Sequence, residues 1–194
     1  MTSRCFIALL LAAPLFSLPA AAATTEAEQH LHVAVAEAVA VVVSAPSRAA
    51  LVERLRPVLE KHISFAVMTR RAVGPGWRQF TPAQQQKAVQ LFTTLIIRSY
   101  SNKFTVGERP MVTYQPASAT AAGRVEVPST FVYQGSRYSV TYRLEQSEGW
   151  QITDVVIEGV SLVANYRSQL DSEFKKGGAE TVINSLSQSV TRPQ

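Results

Sequence analysis

Apolar residues recur along the chain first at helical spacing, then at alternate positions, then at helical spacing again. Within 24–43, Leu31, Val35, Ala38, Val39 and Val42 form a stripe every three or four residues. That spacing predicts a helix, capped by Thr25 and carrying Glu26 and Glu28 near its positive end. Pro46 ends it and Ser47 can cap a second helix over 48–63, where Leu51, Leu55, Leu59 and His62 share a side and Pro57 marks a bend or break. A short helix over 64–73 turns Phe65 and Met68 inward and stops at Gly74-Pro75-Gly76. The next helix has the strongest start: Thr81 as cap, Pro82 in the first turn and Gln84 three residues after the cap. Ala88, Leu91, Phe92, Leu95, Ile96, Ser99 and Tyr100 then line one broad face, which fits a filled core or the wall of an apolar slot equally well.

Beyond Lys103 the period becomes two. Strands are predicted over 111–115, 124–133, 137–145 and 150–158, with Pro128 marking an edge or a bulge and Gln134-Gly135 a tight turn. Tyr138, Val140, Tyr142 and Leu144 face one way. Gly159 breaks the last strand. Ser161 then caps a closing helix to Lys176, with Leu162, Val163, Tyr166 and Leu170 at helical spacing and Val160 apolar just before it. Gly177-Gly178 interrupts, and a final helix runs over 179–189. Helices, about four antiparallel strands and helices again predict an α+β domain, with helices packed on one face of a curved antiparallel sheet.

The first residues read as a secretory leader spanning 1–23: Arg4, an apolar run from Phe6 to Leu18, and small residues from Ala20 to Ala23. That leaves 24–194 as a single mature domain exported from the cytoplasm. The lone cysteine, Cys5, lies in the leader, so no disulfide supports the domain and its stability must come from a core. The net charge of +5 is spread without basic runs, which argues against a nucleic-acid face.

Catalytic signatures are missing. There is no phosphate loop, no nucleophile elbow and no cysteine beyond the leader; His30, His32 and His62 lack partners at metal spacing and read as surface or packing residues. Asp154 and Glu158 share one strand face but stand about 13 Å apart. A salt bridge with Arg143 accounts for Asp154 better than a catalytic dyad does.

Two blocks carry a family resemblance. Asp154 to Gln169, reading DVVIEGVSLVANYRSQ, resembles the closing signature of the MlaC/toluene-tolerance family. Arg71 to Arg78, reading RAVGPGWR and followed by Thr81-Pro82-Ala83-Gln84-Gln85, resembles an earlier block of the same family, as does the strand from Val140 to Leu144. The chain departs from the family at Val73-Gly74-Pro75-Gly76, where members often have Leu-Gly-Arg, and at Val106 to Pro110.

The resemblance implies an NTF2-like or cystatin-like cone and a periplasmic phospholipid carrier, an auxiliary component of an ABC transporter that maintains outer-membrane lipid asymmetry. It implies no enzymatic activity and no cofactor, the bound phospholipid being cargo. The implied partners are an outer-membrane lipoprotein–porin complex and an inner-membrane transporter with a lipid-channel ring. The slot wall would comprise Trp77, Leu91, Phe92, Leu95, Ile96 and Tyr100 from the helical half. Tyr138, Val140, Tyr142, Val156 and Val160 would join it from the strand half, and Val163 and Tyr166 from the closing helix. Val156 alternates in step with Asp154 and Glu158, so it fits that wall least well. No Arg or Lys cluster converges on these walls in the sequence, which predicts cargo with mixed head groups. A hopanoid-linked carrier of the same family, a small periplasmic enzyme with a cone-shaped fold and an adaptor with a filled core are the other readings.

Overall fold

The computed structural model describes residues 20–192, so the leader reading falls outside the described residues except for its last four. Helices α1 (Ala20–Ser44), α2 (Arg48–His62) and α3 (Phe65–Val73) come first. A 3-10 segment (Gly74–Gln79) and α4 (Pro82–Ser101) follow. Six strands come next: β1 (Met111–Tyr114), β2 (Ser118–Ala121), β3 (Arg124–Tyr133), β4 (Ser136–Gln146), β5 (Trp150–Ile157) and β6 (Val160–Ser161). Helix α5 (Leu162–Thr191) closes the chain and is broken by non-helical backbone at Gly177 and Gly178.

The local start signals act as read. Ser47 accepts from the Ala50 amide, and Thr81 and Gln84 complete a reciprocal capping box. Thr25 does not cap α1, because the helix begins at Ala20; its hydroxyl instead donates back to the Ala21 carbonyl at 3.0 Å. Glu26 and Glu28 likewise serve tertiary contacts. Glu26 accepts from the Trp150 indole at 3.4 Å and Glu28 from the Ala117 amide at 2.8 Å, which ties α1 to the strands. Pro57 lies inside α2 without dividing it.

The sheet has six strands rather than four, in the order β1-β3-β4-β5-β6, with β2 also on β3. The two additions leave little trace in the sequence: β2 is four small exposed residues and β6 is only two residues long. Pro128 sits in β3 where its outer partner changes from β1 to β2, and its carbonyl accepts from the Gln115 amide at 2.9 Å. A residue without an N–H fits that interruption. Bulges between Ala119 and Ala121 and between Arg143 and Leu144 bend the sheet.

The core has three parts. The α1 residues Ala27, Leu31 and Ala34 pack on Val125, Val127, Leu144, Trp150 and Ile152 of the sheet. A larger helical cluster joins α3, α4 and α5 around Phe65, Met68, Phe92, Ile97, Leu170 and Leu186. The third, around Val42, Leu51 and Leu55, holds α1 to α2. Ile63 and Val155 touch both of the first two clusters. Ile63 is fixed there because the link from α2 to α3 bridges the free edge of β5 at Ile152.

Candidate functional site

The strand-to-helix junction from Asp154 to Tyr166 organises the site. Ile157 and Val160 pair across a two-residue turn, and Glu158 and Gly159 both have positive φ (49° and 77°). That is the geometry of a type I′ hairpin turn, which reverses the chain tightly and places β6 beside β5. Ser161 then caps α5, accepting from the Ala164 amide at 3.0 Å.

Asp154 fastens the junction. Its carboxylate accepts from the Val155 and Val163 amides at 2.9 and 3.1 Å, from the Ser161 hydroxyl at 2.6 Å and from Arg143 at 3.1 Å. A carboxylate at the positive end of α5, buried and fully partnered, is a structural anchor rather than an acid poised for chemistry. Glu158 lies apart in the turn, accepting from the Ser139 amide, so the two carboxylates do not form a pair. Arg143 also holds Glu126 at 2.8 Å, as cross-strand register dictates.

Above this junction the apolar wall grades from buried to exposed. Phe92 is 0 %, Ile96 6 %, Val140 7 % and Val163 8 % exposed, whereas Tyr138 reaches 39 % and Val160 56 %. The wall therefore has a closed floor and an open rim. Phe92 meets Tyr166 edge-on at 5.2 Å. Burial raises the phenol pKa values of Tyr100 and Tyr166, the former further through Tyr166 itself. Both half-buried hydroxyls stay neutral at ordinary pH.

Trp77, Leu91, Phe92, Leu95, Ile96, Tyr100, Val163 and Tyr166 all meet in the helical cluster. Val140 lies opposite Ile157, which packs against that cluster and pairs with Val160; Tyr138 occupies the neighbouring row opposite Phe131. Tyr142 packs with the α1 cluster instead, where burial pushes its phenol up to about 12. Val156 is a correction: it lies opposite Thr141 and Ser161, on the face away from Val140 and Tyr142. The bulge beside Thr153 shifts the alternation by one, so Val155 and Ile157 turn inward where plain counting points Val156 that way.

The comparisons with known proteins agree with this geometry. A family model described as MlaC protein matches residues 34–188. The chain belongs to the MlaC family. A search of curated proteins returns no match. Among solved structures, the chain is similar to the phospholipid-binding protein of Ralstonia solanacearum, determined in complex with a phospholipid. The two align with a TM-score of 0.79 and 28% identity, over 85% of this chain and 97% of that one.

Within this MlaC-family domain, the wall residues missed by sequence reasoning are Val155 and Ile157. Each sits in a recognisable strand, but its facing depends on the bulge or on cross-strand register. Among the described residues no group of three or more His, Cys, Asp or Glu side chains could hold a metal ion. His62 is buried, but it partners Glu37 at 2.9 Å and His30 at 3.4 Å between α1 and α2. No described helix is long and apolar enough to cross a membrane.

Proposed function

We propose that the mature domain, residues 24–194, is a periplasmic phospholipid carrier that shuttles lipid between the outer and inner membranes and so maintains outer-membrane lipid asymmetry. The observation that carries this reading is the similarity, over nearly the whole domain, to a protein solved with a phospholipid. The graded apolar wall supports it: acyl chains would run between α4, α5 and the inner sheet face, past Phe92, Ile96 and Val163, with the head group toward the exposed rim.

Burying about thirty methylenes stabilises the bound chains by roughly 24 kcal/mol relative to water, at about 0.8 kcal/mol each. A bilayer offers nearly the same, so transfer is close to neutral. Direction then comes from the partners, an outer-membrane lipoprotein–porin complex and an inner-membrane ABC transporter with a lipid-channel ring. The wall bears hydroxyls and methyls but no nucleophile–base pair, which favours a carrier over an enzyme.

Native mass spectrometry and thin-layer chromatography of protein purified without detergent test the proposal. About one diacyl phospholipid per chain is the expected result. A folded protein whose organic extract contains no lipid would overturn it.

A further inference from the structure

A second feature adjoins the apolar wall and involves residues far apart in the sequence. The 3-10 segment after α3 forms a cleft of about 320 Å3 lined by Arg70, Gly74, Pro75, Trp77 and Arg78. Gly74 has a positive φ of 74°, and a side chain there would meet the Arg167 guanidinium, whose Nε lies 3.3 Å from the position of a Cβ. The same positive φ favours glycine at this point. Three arginines therefore abut one short turn. None of them has a carboxylate partner among the described residues, whereas Arg56, Arg71, Arg124 and Arg143 each hold one. No Asp or Glu occurs between Glu60 and Glu108 to neutralise the region.

The cleft is joined to the apolar wall on two sides. Trp77 lines it and also packs against the helical cluster, stacking on Phe80 at 5.4 Å; Phe80 in turn stacks on Phe174 of α5. Arg167 follows Tyr166 on α5, the guanidinium meeting the Gly74 turn and the phenol ring the Phe92 side of the helical cluster. Unpaired guanidinium groups beside an indole, at the border of an apolar wall, suit an oxyanion attached to an apolar body.

We propose that Arg70, Arg78 and Arg167 form a phosphodiester site that holds the head-group phosphate of the bound lipid. This rests on the carrier reading and replaces the expectation of indiscriminate head groups with a preference for phosphate-bearing lipids over uncharged ones of the same chain length.

The test loads purified full-length mature protein from vesicles containing either dioleoyl phosphatidylglycerol or dioleoylglycerol and compares the amounts retained. The wild type should retain the phosphatidylglycerol about tenfold better, the ratio expected for one charge-assisted hydrogen bond. Arg70→Gln with Arg78→Gln should remove that preference while leaving dioleoylglycerol retention unchanged. Arg167→Gln, which leaves the 3-10 segment untouched, should reduce the preference about threefold, and thermal melts would confirm that each variant is folded. A preference that persists in the folded double variant overturns the site. Because the same guanidiniums would take either anion, 10 mM inorganic phosphate should lower the preference by competition, and a preference that phosphate leaves untouched overturns the site. A wild type that binds inorganic phosphate but shows no preference between the two lipids assigns the cleft to free phosphate and overturns the lipid assignment. A wild type that retains neither lipid refutes the carrier reading itself, a result distinct from failure of the cleft.

Discussion

Asp154→Ala tests the junction on which the wall depends. The substitution deletes an acceptor shared by four donors. They do not weigh equally. Arg143 keeps Glu126 and is 46% exposed, so its loss contributes little. Ser161 still accepts from Ala164. The buried Val163 amide, however, loses its acceptor, which costs about 1–3 kcal/mol. Removing the negative charge from the start of α5 adds about 0.5–1 kcal/mol. The expected destabilisation is therefore about 1.5–4 kcal/mol, or a fall in Tm of roughly 3–16 °C for a domain of this size.

Asp154→Asn should lose less, because the amide oxygen can still accept from Val163, and Glu126→Gln should stay within about 0.5 kcal/mol as an exposed control. Urea and thermal unfolding of the three variants measure the ranking. Because Val163 and Tyr166 ride on the start of α5, Asp154→Ala should also retain less lipid below its melting temperature. A Tm change under 1 °C, or one no larger than that of Glu126→Gln, would refute the assignment of Asp154 as the anchor.

Four further outcomes are expected, three from the structure and one from the leader read in the sequence. Gly76→Ala places a Cβ 2.8 Å from the Phe174 ring and should destabilise by about 1–3 kcal/mol, measured by urea unfolding and relieved by adding Phe174→Leu. His30 is pulled below its ordinary pKa chiefly by burial, so the unfolded chain takes up its proton more readily; stability should fall as pH drops through 6.5, and His30→Gln should flatten that fall in a pH series of melts. Tyr142, pushed up to about 12 by burial, stays neutral in the fold while an unfolded phenol ionises near 10, so stability should decline from pH 10 to 12 and decline less in Tyr142→Phe. The mature N-terminus should fall between Ala21 and Glu26 by N-terminal sequencing of protein released by osmotic shock, and a full-length chain in the membrane pellet would refute the leader.

What could be read from the sequence was whatever a few neighbouring residues decide. Ser47, Thr81 with Gln84, and Ser161 cap their helices, and Gln134-Gly135 turns the β3–β4 hairpin, because each device closes within four residues. The apolar stripe of α4 was equally legible, but its periodicity is the same for a core and for a slot wall. Only tertiary structure divided the wall into a floor at Phe92 and Val163 and a rim at Tyr138 and Val160.

Three further features needed contacts between distant parts of the chain. The bulge opposite Arg143 and Leu144 exchanges Val156 for Val155 and Ile157, since one extra residue reverses the facing of all that follow until pairing resumes. Asp154 reads as the partner of Arg143 on a strand, yet its deeper role is fixed by where α5 begins. Arg70, Arg78 and Arg167 look unrelated along the chain, and only the packing of the 3-10 segment on α5 gathers them. Capping and turn preferences are short-range and survive in any context. Facing, burial and the convergence of like charges depend on long-range packing, which local residue preferences do not determine.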